Sequence, residues 1–131
     1  MRILVVEDFA AFRNFICSIL GKVPDLQIVG VVSDGLDAVR QAEALKPDLI
    51  LLDIGLPTLN GIEAARQIRK LAPESKIIFV SQESSIDVVQ EALNLGARGY
   101  VVKTRANDLL AALGAVLEGR QFVSPHCLVA D

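Results

Sequence analysis

The sequence alternates short apolar runs with amphipathic stripes about five times along the chain, and this alternation leaves few folds open. The short runs are rich in Val, Ile and Leu, which favours strands over helices. The central runs are continuously apolar, as expected for parallel strands covered on both faces. The pattern predicts a doubly wound parallel sheet. The predicted strands are Arg2 to Val6, Gln27 to Val32, Leu49 to Leu52, Lys76 to Val80, and Gly99 to Val102.

Five helical stripes fill the intervals between and after these strands. In the first, apolar residues from Phe12 to Leu20 recur at the spacing of one helical face. The other stripes begin at Leu36, Ile62, Ile86 and Leu109, and a proline or glycine follows each. We interpret all five as core-facing. The final segment, Arg120 to Asp131, is weakly periodic and is predicted to be an exit tail or the start of a linker.

Size and composition exclude several classes of protein. A chain of 131 residues, about half of them apolar, is long enough for one folded domain and too apolar for disorder. Its apolar runs are far shorter than a membrane span, and its start lacks a secretory signal, so we expect a cytoplasmic protein with no membrane contact. A net charge of -3 without a basic cluster argues against direct nucleic-acid binding. Cys17 and Cys127 are expected to be unpaired thiols.

Polar residues follow four of the predicted strands at the point where each strand ends. Ligands bind at the carboxyl edge of an open parallel sheet, so these side chains are expected to share one pocket. They are Glu7 and Asp8 after the first strand, Asp53 after the third, Ser81 after the fourth and Lys103 after the fifth. Taken singly, Lys103 could be a solvated lysine and Ser81 a turn residue. Their joint placement favours a site.

Three carboxylates in one pocket require a cation. Two like charges about 4 Å apart repel by roughly 4 kcal/mol at an effective dielectric near 20. A hard divalent ion such as Mg²⁺ relieves this repulsion by binding oxygen ligands. Asp8 and Asp53 are the candidate direct ligands, Glu7 binds directly or through water, and the backbone carbonyl of Gly55 is a third protein ligand. The alternative for Glu7 and Asp8 is that they only cap the following helix.

Asp53 is the candidate reactive group. A carboxylate can attack phosphorus and form an aspartyl-phosphate. Phosphoryl transfer needs mainly positioning and neutralisation of charge, which a metal ion and the compact ammonium of Lys103 can supply. Ser81 can donate a hydrogen bond to a phosphoryl oxygen.

The chain resembles the receiver domain of two-component response regulators from Arg2 to about Ser124. The matching stretches are Ile3 to Asp8, Pro47 to Asp53 with Pro57 and Asn60-Gly61, Ala92-Leu93, Gly96 to Tyr100, and Lys103. No single stretch is decisive, but their order and spacing together are specific. On this basis we place a receiver domain over residues 1–124 and an exit tail or linker start over 125–131.

The resemblance implies a flavodoxin-like (βα)5 fold with strand order 2-1-3-4-5. It implies Asp53 as the acceptor of phosphate from a histidine kinase, with Mg²⁺ (or Mn²⁺) held by Asp8, Asp53 and the Gly55 carbonyl. Ser81 and Lys103 would contact the phosphoryl group, and Tyr100 would be an aromatic switch that turns inward when Ser81 moves. Such a protein is a signalling phosphoacceptor with slow self-dephosphorylation, not an enzyme in the ordinary sense.

The run from Leu117 to Pro125 resembles the receiver end of NarL/FixJ-type transcription regulators. These regulators continue into a helix-turn-helix domain, so the chain is interpreted as a fragment of a DNA-binding regulator. It is expected to form a homodimer on phosphorylation. It would reach DNA only through a C-terminal domain that is absent from this sequence. The alternative is a stand-alone receiver acting through protein contacts.

Three other functions compete with these. An aspartate-nucleophile phosphatase needs a second acid where Gly55 stands, and Glu7-Asp8 would repel the phosphate of a flavin mononucleotide. A degenerate receiver that binds partners without phosphorylation stays open, because Gln82 is larger than the residue usual beside the phosphate.

Overall fold

A parallel sheet in the order β2-β1-β3-β4-β5-β6 forms the centre of residues 1–124, which are the part of the chain that the computed structural model describes. The strands are β1 (Arg2–Val6), β2 (Gln27–Val32), β3 (Leu49–Leu52), β4 (Lys76–Ser81), β5 (Gly99–Val102) and β6 (Phe122–Val123). The helices are α1 (Ala10–Leu20), α2 (Gly35–Leu45), α3 (Gly61–Leu71), α4 (Ile86–Asn94) and α5 (Asp108–Leu117), with a 3-10 turn at Lys103–Arg105. The predicted doubly wound, flavodoxin-like architecture and the order 2-1-3-4-5 are confirmed.

The sixth strand was not predicted, and the interpretation of everything after Arg120 as tail is wrong for its first residues. Phe122 pairs with Gly99 and Val123 with Tyr100, in parallel register. Ser124 is fully buried, and its hydroxyl accepts a hydrogen bond from the Val102 N–H at 3.2 Å. The domain core therefore reaches Ser124. The predicted tail over 125–131, including Cys127, lies outside the described residues.

Side chains alternate between the two faces of the sheet and build two cores. Leu4, Val6, Ile50, Leu52, Ile77 and Phe79 join residues of α2, α3 and α4 in one core. Ile3, Val5, Leu49, Leu51, Ile78 and Val80 join residues of α1 and α5 in the other. The central strands are thus covered on both sides, which explains their continuously apolar sequence. Among residues 1–124, no helix combines the length and apolar character needed to cross a bilayer.

The register of the sheet brings the strand ends level at one edge. Val6 lies opposite Leu52 in the β1–β3 pair, and Ser81 lies opposite Val102 in the β4–β5 pair. The Asp53 N–H continues the first ladder by donating to the Val6 carbonyl at 3.2 Å. The residues that follow β1, β3 and β5, and the last residue of β4, therefore meet at the carboxyl edge.

The start of α3 is packed directly against the end of β3. The side chain of Asn60 caps the helix by accepting the Glu63 N–H at 3.0 Å. Gly61 has no room for a side chain, because a Cβ placed there would lie 2.0 Å from the Asp53 carbonyl oxygen. This close approach explains why a glycine stands at the start of α3.

We expect Gly61→Ala to destabilise the protein by about 2 kcal/mol, because the backbone at Asp53 must shift to admit the methyl group. Gly114→Ala is the matched control: Gly114 is exposed in α5 and no atom lies within 4 Å of the added Cβ. This change should stabilise the protein by about 1 kcal/mol through helix propensity. Urea unfolding measures both, and equal effects would contradict the assignment of a steric role to Gly61.

Candidate functional site

Three carboxylates meet at the carboxyl edge of the sheet. Glu7, Asp8 and Asp53 each place an oxygen so that all three oxygens lie within 4.8 Å of one another. Glu7 and Asp53 are only 1% and 5% exposed, whereas Asp8 is open to solvent. The strand ends thus bring together the three acids that the sequence predicted to converge, and they bury two of them.

The ammonium of Lys103 joins this cluster from the end of β5. Its Nζ donates to Oδ2 of Asp53 at 3.0 Å and to Oε2 of Glu7 at 3.1 Å. It also lies 2.9 Å from Oε1 of Glu7. The alternative that Lys103 is a solvated lysine is wrong, since its side chain is only 11% exposed. One ammonium therefore faces two buried carboxylates.

Burial and charge act in opposite directions on these groups. Burial raises the pKa of Glu7, and the nearby charge of Asp53 adds to this, while hydrogen bonds from Lys103 and the Phe9 N–H only partly offset it. Burial acts to lower the pKa of Lys103, but its hydrogen bonds to Glu7 and Asp53 and their negative charges outweigh that effect, so its pKa lies above the ordinary value. Lys103 is therefore a cation at neutral pH, whereas Glu7 loses its proton less readily than an exposed glutamate.

One oxygen of this cluster lacks a hydrogen bond. Oε1 of Glu7 is buried, and its contact with Lys103 Nζ at 2.9 Å lacks the geometry of a hydrogen bond. A further donor or cation beside this oxygen would therefore be favourable. Together with the two neighbouring carboxylates, Glu7 forms a donor set that suits a hard divalent ion such as Mg²⁺.

A cavity of about 240 Å³ opens beside these groups. It is lined by Asp8, Phe9, Asp53, Gly55, Ser81, Gln82, Glu83 and Lys103. Ser81 is buried at the end of β4, and its hydroxyl accepts the Glu83 N–H at 3.2 Å. Gly55 donates its N–H to Oδ1 of Asp53 at 3.4 Å. The cavity therefore brings the predicted hydroxyl and glycine to the carboxylate of Asp53.

Tyr100, the predicted aromatic switch, is fully buried in β5. Its hydroxyl donates to the Glu83 carbonyl at 2.7 Å, and its ring lies 6.2 Å from that of Phe79, centroid to centroid. The same Glu83 donates its N–H to Ser81. A short chain of hydrogen bonds thus links Ser81, at the cavity, to Tyr100, beneath the loop between β4 and α4.

Three contributors were not found by sequence reasoning. The Phe9 N–H donates to Oε2 of Glu7 at 3.1 Å, and Glu83 acts through its backbone. Backbone contacts of this kind leave no signal in residue type. Phe12 was interpreted as core only, yet the Lys103 ammonium lies 4.9 Å from its ring centroid. Its position on α1, four residues after Asp8, was the available signal.

Comparison with known proteins agrees with this geometry. The family model described as the response regulator receiver domain matches residues 3–114. The chain belongs to this family. The receiver is 34% identical over 130 residues to the response regulator protein VraR of Staphylococcus epidermidis, covering 98% of this chain and 62% of that protein. It is 32% identical to the transcriptional regulatory protein DegU of Brevibacillus brevis, covering 100% of this chain and 57% of DegU.

Two solved structures extend the comparison. A two-component response regulator of the LuxR family from Aurantimonas sp. superimposes with a TM-score of 0.91 at 30% identity, covering 96% of this chain and 91% of that one. The response regulator domain of Thermotoga maritima CheB gives a TM-score of 0.77 at 38% identity, covering 91% and 92%. The predicted likeness to NarL/FixJ-type, LuxR-like regulators is confirmed. The receiver spans about three fifths of the length of VraR and DegU.

We expect Glu7→Gln to stabilise the metal-free receiver at neutral pH. Because the pKa of Glu7 is raised on folding, the native state binds its proton more tightly than the unfolded state. Stability of the unaltered receiver should therefore fall as pH rises above the ordinary Glu value of 4.5. Urea unfolding across this range with a chelator present tests the effect.

The matched control is Glu43→Gln, at an exposed position of α2. Only Glu7→Gln should flatten the pH dependence. If the Glu7→Gln variant were less stable than the unaltered receiver at neutral pH, this result would contradict a raised pKa of Glu7.

Proposed function

We propose that Asp53 accepts a phosphoryl group from a phosphohistidine of a histidine kinase, in a Mg²⁺-dependent reaction that switches the conformation of the receiver. The observation that carries this proposal is the Asp53 carboxylate itself. It is 5% exposed, opens onto a cavity, and lies 3.0 Å from the ammonium of Lys103. A carboxylate in this setting is prepared to attack phosphorus while a fixed cation offsets the charge.

In this reaction a carboxylate oxygen of Asp53 bonds to phosphorus as the phosphorus–nitrogen bond breaks, and the imidazole leaves with the electron pair. Lys103 offsets charge on the phosphoryl oxygens, and Ser81 donates a hydrogen bond to one of them. Mg²⁺, when bound, adds positive charge at the same oxygens. Its ligands would be Asp8, Asp53 and the Gly55 carbonyl, with Glu7 bound directly or through water.

The switch would use the hydrogen bonds that connect Ser81 to Tyr100. If the Ser81 hydroxyl turned towards the phosphoryl group, the hydrogen bond that it accepts from the Glu83 N–H would change. The Glu83 carbonyl accepts the hydrogen bond of the Tyr100 hydroxyl, so the change could reach Tyr100. Phosphorylation shifts the equilibrium between two conformations only by the difference in free energy with which each interacts with the phosphoryl group. A charge-assisted bond from Ser81 of about 1.5 to 3 kcal/mol, together with the Lys103 contact, would supply the few kcal/mol needed to invert a minor population.

The output is proposed from the relatives. DegU is named a transcriptional regulatory protein, and the receiver covers 57% of it. We propose that this receiver controls transcription in the cytoplasm through a DNA-binding domain outside the sequence in hand, with homodimer formation on phosphorylation. A stand-alone receiver that acts through protein contacts is the second candidate, because all residues of the proposed acceptor site lie within residues 1–124.

Turnover by this site is proposed to be slow. A phosphatase with an aspartate nucleophile uses a second acid to activate water, and the position two residues after Asp53 is Gly55. Gln82 and Glu83 line the cavity, but both belong to the loop after β4, whereas the second acid of such a phosphatase follows its nucleophile by two residues. The phosphorylated state is therefore expected to persist as a signal.

Asp53→Asn should abolish phosphorylation by acetyl phosphate with Mg²⁺, because the amide is not a nucleophile towards phosphorus. Intact-mass measurement should show one added phosphoryl group on the unaltered receiver, removable by hydroxylamine. Asp25→Asn, at an exposed residue before β2, is the matched control and should label normally. Full labelling of the Asp53→Asn protein would rule out this acceptor.

Mg²⁺ should stabilise the unaltered receiver by mass action, by about 2.7 kcal/mol at a concentration one hundred times its dissociation constant. Asp8→Asn should remove most of this gain, because it deletes an exposed carboxylate of the cluster. Thermal unfolding with and without Mg²⁺ measures the difference, again with Asp25→Asn as control. An undiminished gain in Asp8→Asn would place the metal elsewhere.

A further inference from the structure

The ring of Phe12 lies against the ammonium of Lys103. The distance from Nζ to the ring centroid is 4.9 Å, within the roughly 6 Å over which a cation is attracted to an aromatic face. The same ammonium donates to Glu7 and Asp53. Lys103 therefore has two charged neighbours and one neutral neighbour that still attracts it.

The Phe12 ring is held in place by its surroundings. It is half-buried at the start of α1 and packs against the core formed by α1, α5 and their face of the sheet. A second ring, that of Phe15, lies 6.0 Å away between centroids, at an angle of 48°. Such packing restricts the ring, so it offers the ammonium a fixed surface.

We propose that Phe12 is a positioning residue for phosphoryl transfer, whose ring keeps the Lys103 ammonium beside Asp53 while the charges around that ammonium change. This inference rests on the proposed function of Asp53. The two carboxylates that hold Lys103 are the groups that a divalent ion and a phosphoryl group would also engage. The contact with the ring is independent of both, so it persists when those hydrogen bonds are exchanged.

The alternative is that Phe12 only fills space in the core, since it belongs to the apolar stripe of α1. The two roles differ in what they require of the side chain. Packing depends on size and shape, whereas attraction to a cation depends on the negative face of the ring. Fluorine atoms weaken that face and change the size of the ring little, so they separate the two roles.

The decisive experiment uses the full 131-residue chain with Phe12 replaced by phenylalanines that carry one, two or three ring fluorines. We expect the rate of phosphorylation by phosphoramidate, at saturating Mg²⁺, to fall stepwise, by roughly fivefold with three fluorines. Thermal stability should change little. The same series at Phe15 is the matched control, because its ring packs against Phe12 at a tilt and is half exposed. The rate should not change across this series.

A second measurement needs neither metal nor phosphodonor. The ring current of Phe12 should shift the ε-methylene protons of Lys103 upfield in the NMR spectrum. Phe12→Leu should remove this shift, and Phe15→Leu should leave most of it. An identical Lys103 spectrum in Phe12→Leu would show that the contact is absent and would overturn the inference.

The outcomes separate the two proposals. Equal rates throughout the Phe12 series, in a chain that is phosphorylated on Asp53, would overturn the positioning role and leave the proposed function intact. An unaltered chain that accepts no phosphoryl group would overturn both. A stepwise fall in rate together with the loss of the Lys103 shift would support both.

Discussion

The ion pairs of Lys103 with Glu7 and Asp53 are the interaction on which the functional edge of this receiver depends. They join residues that are 96 and 50 positions apart, at the ends of β5, β1 and β3. Removing the Lys103 ammonium should cost about 3 to 5 kcal/mol, because the two buried carboxylates would be left without a compensating charge. The burial of these acids therefore depends on the fold that places Lys103 beside them.

The sign of the remaining charge determines what the site can accept. Three carboxylates and one ammonium leave a net charge of -2 when all are ionised. Burial raises the pKa of Glu7 because it disfavours the charged form, and the charge of Asp53 adds to this effect. An anionic group is expected to approach Asp53 favourably only when further positive charge is present, so the proposed binding of Mg²⁺ would favour the proposed binding of a phosphodonor.

The sequence predicted the sheet well because each central strand carries its own apolar run, and it missed β6 because two residues cannot display a pattern. Phe122 and Val123 are ordered by backbone pairing with β5, not by local preference. The site residues at strand ends were predictable for the same topological reason. The sequence does not indicate which of the two adjacent acids, Glu7 or Asp8, has the buried side chain. Phe12 matches the apolar stripe of α1, so the pattern gives no sign of its contact with the Lys103 ammonium. Glu83 contributes through its backbone N–H and carbonyl, which its residue type does not reveal.

The short strand β6 has a consequence for one edge of the sheet. A strand at the border of a sheet offers unpaired amides and carbonyls as a template for another chain, which promotes aggregation. Here Phe122 and Ser124 donate their N–H groups to the carbonyls of Arg98 and Tyr100, and the Ser124 hydroxyl accepts the Val102 N–H. The strand β6 itself has only two residues, so it is a short template. The edge of the sheet beside Tyr100 is therefore only two residues long, which disfavours edge-to-edge association with another chain.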